Sequence, residues 1–103
     1  MNFNVKLTDS AKHDIDIIVD YIAKNLDNPI AADNFLNKIL KTIDLLSYNP
    51  KMYPFCNNAR LKKKGYRKMI IDNYVFPYIV KEHDEIIIIS RVIYAKRDYE
   101  KML

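Results

Sequence analysis

The run Ile86-Ile87-Ile88-Ile89, followed at once by Val92-Ile93, constrains this chain more than any other feature. A strand with one wet face alternates apolar and polar residues, whereas this stretch is apolar at both parities. The strand Glu85 to Tyr94 therefore belongs in the interior of a sheet, covered on both faces. Full burial of each isoleucine contributes on the order of 1.5–3 kcal/mol, so this strand organises the core.

The other elements follow from periodicity and punctuation. Asn2 to Leu7 places Phe3, Val5 and Leu7 on one face, the pattern of a half-buried strand. Thr8 offers an N-cap hydroxyl and Asp9 an acid in the first turn. Ala11, Ile15, Ile18, Ile22 and Leu26 then recur at helical spacing, and the helix is predicted to stop around Asn25 to Asn28. Asn28-Pro29 restarts a helix, with Asn as cap and Pro in the first position. Its apolar face is Ala32, Phe35, Leu36, Ile39, Ile43 and Leu46, and Asn49-Pro50 ends it. So short a join predicts an antiparallel helical hairpin. Residues 49–65 read as a loop, with Tyr53 and Phe55 pinning it to the body. Strands are predicted at Tyr66 to Ile71 and Tyr74 to Lys81, with tight turns at Asp72-Asn73 and His83-Asp84. Pro77 forfeits a ladder bond, which requires a bulge there or a direction with no bonding neighbour. Lys96 to Leu103 adds a short final helix. The resulting order, β-α-α-β-β-β, predicts an α+β domain over residues 1–103. The helical hairpin packs on one face of a small, mainly antiparallel sheet, and Tyr and Arg side chains occupy the opposite face.

Composition narrows the function classes. With 103 residues, one Gly and four Pro, the chain suits one domain without long linkers. No apolar run approaches the roughly 20 residues that cross a bilayer, and the N-terminus lacks a signal-peptide pattern, so a cytoplasmic protein without membrane contact is expected. Cys56 stands alone, which excludes an internal disulfide, and no Cys/His cluster has metal-ligand spacing. Cys56 reads as a small buried apolar side chain, and neither metal nor cofactor is expected. His13 and His83 read as surface residues. Seventeen Lys and Arg oppose 13 acids, and the excess is uneven. Arg60 to Lys68 carries six positive charges and no acid, Lys96, Arg97 and Lys101 form a second group, and most aspartates lie between residues 9 and 44. Such asymmetry favours an anionic partner, either nucleic acid or an acidic protein. Lys62, Lys63 and Lys64 are the loop residues that attract one.

Val5-Lys6-Leu7-Thr8-Asp9-Ser10-Ala11, Ile18-Val19-Asp20-Tyr21-Ile22 and Ala32-Asp33-Asn34-Phe35-Leu36 come in an order shared with a known family. So do Asn49-Pro50, Tyr53-Pro54, Gly65-Tyr66-Arg67, Tyr74 with Tyr78, and Arg91-Val92-Ile93-Tyr94-Ala95-Lys96-Arg97-Asp98-Tyr99. Together these resemble the RelE/ParE superfamily of type II toxin–antitoxin toxins over nearly the whole chain, with the long helical pair closer to the ParE-like branch. The resemblance implies a growth inhibitor, associated with plasmid stabilization and held by an acidic antitoxin. It implies either DNA gyrase as target or, in the RelE-like branch, mRNA cleaved in the ribosomal A site. A third reading is an attenuated member kept as an interaction module.

RNA cleavage without a metal needs a proton acceptor, a proton donor and cations for the charge on phosphorus. By the resemblance, Arg97 falls where RNA-cleaving relatives place a catalytic arginine, and Arg67 near their first catalytic lysine. Lys68, Arg91 and Tyr99 complete the candidate catalytic set, with Tyr94 and Lys96 as target-binding groups. The sequence departs from that pattern at Val75, where those relatives carry Arg, and at Met69, where a second lysine would lie. No His follows the last strand.

Overall fold

A computed structural model describes residues 2–103. The first strand, β1 (Asn4–Leu7), leads into helix α1 (Asp9–Asp20), whose last turn widens into a π turn over Tyr21–Asn25. Thr8 caps α1 by accepting the Ala11 N–H at 3.0 Å. Helix α2 (Pro29–Tyr48) begins as the sequence predicts, with the Asn28 side chain accepting the Ala31 N–H at 3.1 Å and Pro29 leading the helix. The supposed loop before the sheet holds a short helix, α3 (Ala59–Lys63), capped by Asn58 and ended by Gly65 at φ 89°.

Strands β2 (Tyr66–Ile71) and β3 (Tyr74–Lys81) form the expected hairpin. The last predicted strand divides into β4 (Ile86–Ile89) and β5 (Ile93–Tyr94). Sheet order is β1-β4-β3-β2, with β5 continuing along the β3 edge that β4 occupies further down. Strand β1 runs parallel to β4 and the other pairings are antiparallel. Strand β4 is thus interior to the sheet, with Ile87 and Ile89 fully buried on the core face, but Ile86 and Ile88 are only half-buried, so the expected cover on both faces is incomplete. The short final helix is a single 3-10 turn, Tyr99–Met102.

Pro77 explains the break between β4 and β5. The Ser90 N–H donates to the Pro77 carbonyl at 2.9 Å, so the imide nitrogen of Pro77 also faces the interrupted edge. The strand bends where a ladder bond has no donor. Ser90 turns its own carbonyl to the Thr8 hydroxyl at 2.7 Å.

The main core joins the helical hairpin to one sheet face. Ala11, Ile15, Phe35, Ile39 and Leu46 pack against Met69, Ile71, Phe76, Tyr78, Ile87 and Ile89. Strand register extends this face to Arg67, Tyr74 and Tyr94, which pair with Tyr78, Ile71 and Tyr74 respectively. The expectation of Tyr and Arg on the opposite face is therefore corrected. Tyr74, Tyr78, Tyr94 and Arg67 share the parity of the core residues. The far face carries Tyr66, Lys68, Ile70, Val75, Pro77, Ile79, Ile86, Ile88 and Ile93 instead. Val75, Pro77 and Ile93 are buried there, while α3 packs beside β2. Arg60 fastens the C-terminal turn to α3, donating to the Leu103 and Glu100 carbonyls at 2.9 and 2.7 Å. Among the described residues no helix is long and apolar enough to cross a membrane.

Candidate functional site

A cleft of about 620 Å³ follows the free edge of β5 between α1 and the C-terminal turn. In the β3–β5 pairing, the Ala95 N–H reaches the Asn73 carbonyl, so Ile93 bonds inward while Val92 and Tyr94 direct their main-chain groups outward. The outward Val92 N–H is taken by the Asp14 carboxylate at 3.0 Å, and the Tyr94 carbonyl by the Arg97 N–H at 2.9 Å. The Val92 carbonyl and the Tyr94 N–H remain directed at the cleft.

Helix α1 supplies the opposite wall. His13, Ile17 and Tyr21, four residues apart, form a second stripe beside the core stripe, and Asp14 and Ile18 complete the wall. Ile17 and Tyr21 are about half exposed, and Tyr94, edge-on to Tyr74 with ring centroids 5.8 Å apart, is also exposed. Arg97 and Met102 close the C-terminal rim. The wall is apolar with a cationic margin. Sequence reasoning overlooked Ile17, Tyr21 and Asp14 here and set His13 aside. The signal was the i, i+4, i+8 repeat of His13, Ile17 and Tyr21, hidden beside a stronger apolar stripe.

Of the sequence-predicted site residues, the structure brings Arg91, Tyr94 and Arg97 together around this cleft and leaves the others elsewhere. Arg91 lines this cleft but is already engaged: its Nε and Nη2 donate to the Asp14 carboxylate at 2.8 and 3.2 Å. Hydrogen bonding to Asp14 raises the Arg91 pKa further, so the guanidinium stays charged. Arg97 is exposed on the rim, and Lys96 is exposed next to it in sequence. Arg67 lines a different cleft, with Lys51, Phe55 and Glu82. Its Nη1 donates to the Tyr53 carbonyl at 2.7 Å and its guanidinium carbon lies 4.0 Å from the centroid of the Phe55 ring. Lys51 and Glu82 pair across that cleft, and this contact holds the Glu82 carboxyl below its ordinary range. Lys68 faces the far side of the sheet. Tyr99 sits beside buried Cys56, and burial raises the pKa of both groups. Lys62 and Lys63 lie exposed on α3, with Lys64 at its end. Tyr78 is buried, donates to the Pro50 carbonyl at 2.8 Å, and has its pKa pushed up to about 12 by burial. A strong proton acceptor flanked by free cations is not assembled at any of these places.

A strand, a helical hairpin and a sheet whose last strand is broken beside the first helix make up the fold, and a sequence match over most of the chain places it among the toxins of the RelE/ParE superfamily. The family model of the ParE toxin of the type II toxin-antitoxin system, parDE, matches residues 5–99, and the chain belongs to that family. The fold resembles a chain of the chromosomal ParDE TA system from P. aeruginosa, with TM-score 0.71 and 21% identity, covering 91% of this chain and 97% of that one. It also resembles a chain of the RelBE2 toxin-antitoxin complex from Mycobacterium tuberculosis, with TM-score 0.53, 14% identity and coverage of 91% and 99%. No curated protein matches the chain.

Proposed function

We propose that this ParE-family toxin acts in the cytoplasm by binding a large target of the DNA gyrase kind, without bond-breaking chemistry of its own. One observation carries the reading. Arg67 and Arg91, half of the basic residues that RNA cleavage would enlist, are each satisfied by a partner within the chain and line separate clefts. A phosphate in transit would have to compete with the Asp14 carboxylate for Arg91 and would find Arg67 elsewhere.

An acidic antitoxin holds the toxin through the cleft beside β5. The free Val92 carbonyl and Tyr94 N–H suit an added extended segment, Ile17 and Tyr21 accept its apolar side chains, and Arg97 and His13 face its acids. Support also comes from the P. aeruginosa and M. tuberculosis neighbours, both described as parts of toxin–antitoxin systems.

The test is a supercoiling assay with purified chain and gyrase, run beside primer extension on translated mRNA after induction. Inhibited supercoiling with intact A-site mRNA is the expected outcome. Normal supercoiling at excess toxin removes gyrase, and A-site cleavage replaces the reading with the endonuclease one. Undisturbed growth on induction without the antitoxin would leave only an attenuated interaction module.

A further inference from the structure

A second exposed surface is independent of the cleft beside β5. Between α1 and α2 runs a groove of about 310 Å³ whose walls are almost wholly aliphatic: Leu7, Ile15, Leu36, Ile39, Leu40 and Ile43. Leu40 stands at its lip with 65% of its surface exposed. Among the described residues, the charged ones lining the groove are Lys12 and Asp16, one turn apart on α1. They are spaced for a mutual i,i+4 pair, yet among the described residues neither enters an ion pair.

We infer that this groove is a self-association surface whose occupant is a second copy of the same chain. A two-fold axis through the groove sets α1 of one copy antiparallel to α1 of the other. Lys12 of each copy then faces Asp16 of its mate, so one unlike pair yields two reciprocal contacts. The exposed Leu40 side chains close over the aliphatic floor. A rim that sums to zero charge offers no net attraction to an acidic peptide, whereas among the described residues the cleft beside β5 keeps one unpaired cation, Arg97, at its rim once Arg91 is paired with Asp14. Charge complementarity therefore assigns the groove to self-association and leaves the other surface for an anionic partner. The two surfaces use different faces of α1, His13 and Ile17 on one and Lys12 and Asp16 on the other.

Sedimentation equilibrium of the purified full chain, up to about 1 mM, tests this. The expected result is a mass rising with concentration from 12.2 kDa toward twice that value. Leu40→Glu should weaken association about 30-fold, as loss of a central apolar anchor does. Lys12→Glu and Asp16→Lys should each weaken it about fivefold by opposing like charges. The double swap K12E/D16K should recover the parent affinity, which a merely destabilised fold would not do. All three positions are exposed, and unchanged thermal melting of each variant will verify that folding is intact. A single 12.2 kDa species at every concentration overturns the proposal, as does a dimer indifferent to Leu40→Glu or a double swap that stays weak. A monomeric free chain whose antitoxin binding is lost on Leu40→Glu would assign the groove to the antitoxin instead.

Discussion

Removing the Asp14 carboxylate should loosen the whole cleft wall. Three donors converge on this group: Arg91 Nε at 2.8 Å, Arg91 Nη2 at 3.2 Å and the Val92 N–H at 3.0 Å. The Asp14 side chain is 13% exposed and that of Arg91 28%, so the pair is largely but not wholly removed from water. A hydrogen bond to a charged group contributes about 1.5–3 kcal/mol, and breaking a fully buried pair costs about 3–5 kcal/mol. Since Arg91 retains some access to solvent, Asp14→Ala should cost about 2–4 kcal/mol. Arg91→Ala should cost roughly 1 kcal/mol less, because Asp14 still accepts the Val92 N–H. The double variant should show a coupling of about 1–3 kcal/mol. Urea unfolding followed by circular dichroism measures all three, with m unchanged if the native fold persists. At 4–8 °C per kcal/mol, Asp14→Ala should also lower Tm by roughly 10–25 °C. A coupling under about 0.5 kcal/mol, or an Arg91→Ala cost above that of Asp14→Ala, would refute the argument that this carboxylate ties α1 to the bend before β5.

Burial raises the Tyr78 phenol to about 12 from an ordinary 10.0, so the folded state holds its proton more tightly than the unfolded chain. Its stabilisation is complete below pH 10 and is lost as pH climbs toward 12, by about 2–3 kcal/mol in all. Phenolate absorbance should show a late-titrating tyrosine that disappears in Tyr78→Phe, and that variant should lose about 1 kcal/mol at neutral pH with the bond to Pro50. Arg67→Lys abolishes the flat contact with Phe55, and urea unfolding should register a loss of about 1 kcal/mol, partly restored if the ammonium still reaches the Tyr53 carbonyl. In Arg60→Ala, the carbonyls of Glu100 and Leu103 lose their donor, and amide exchange at Tyr99–Met102 should accelerate with core exchange unchanged. Equal acceleration throughout the core would show that the terminal turn is not an independent unit.

Whatever depends on neighbours in the chain was legible before the fold. Asn28-Pro29 starts α2 and Asn49 ends it because capping and proline sterics act within a turn. Ile86–Ile89 demanded an interior place, and β4 has one between β1 and β3. Cys56 reads as a buried apolar side chain and is fully buried. The short helix α3 escaped because five residues give too little periodicity to stand out from a lysine-rich stretch, although Asn58 and Gly65 marked its ends.

What only tertiary structure decided is which face each side chain meets and which charges are already engaged. The tyrosines at 74, 78 and 94 and Arg67 alternate as strand residues should, but that alternation leaves open which parity the hairpin covers. Asp14 and Arg91 lie 77 positions apart, and nothing local in either segment signals their pairing. A strand's period is a property of its backbone, whereas the choice of covered face and of ion-pair partner belongs to long-range packing.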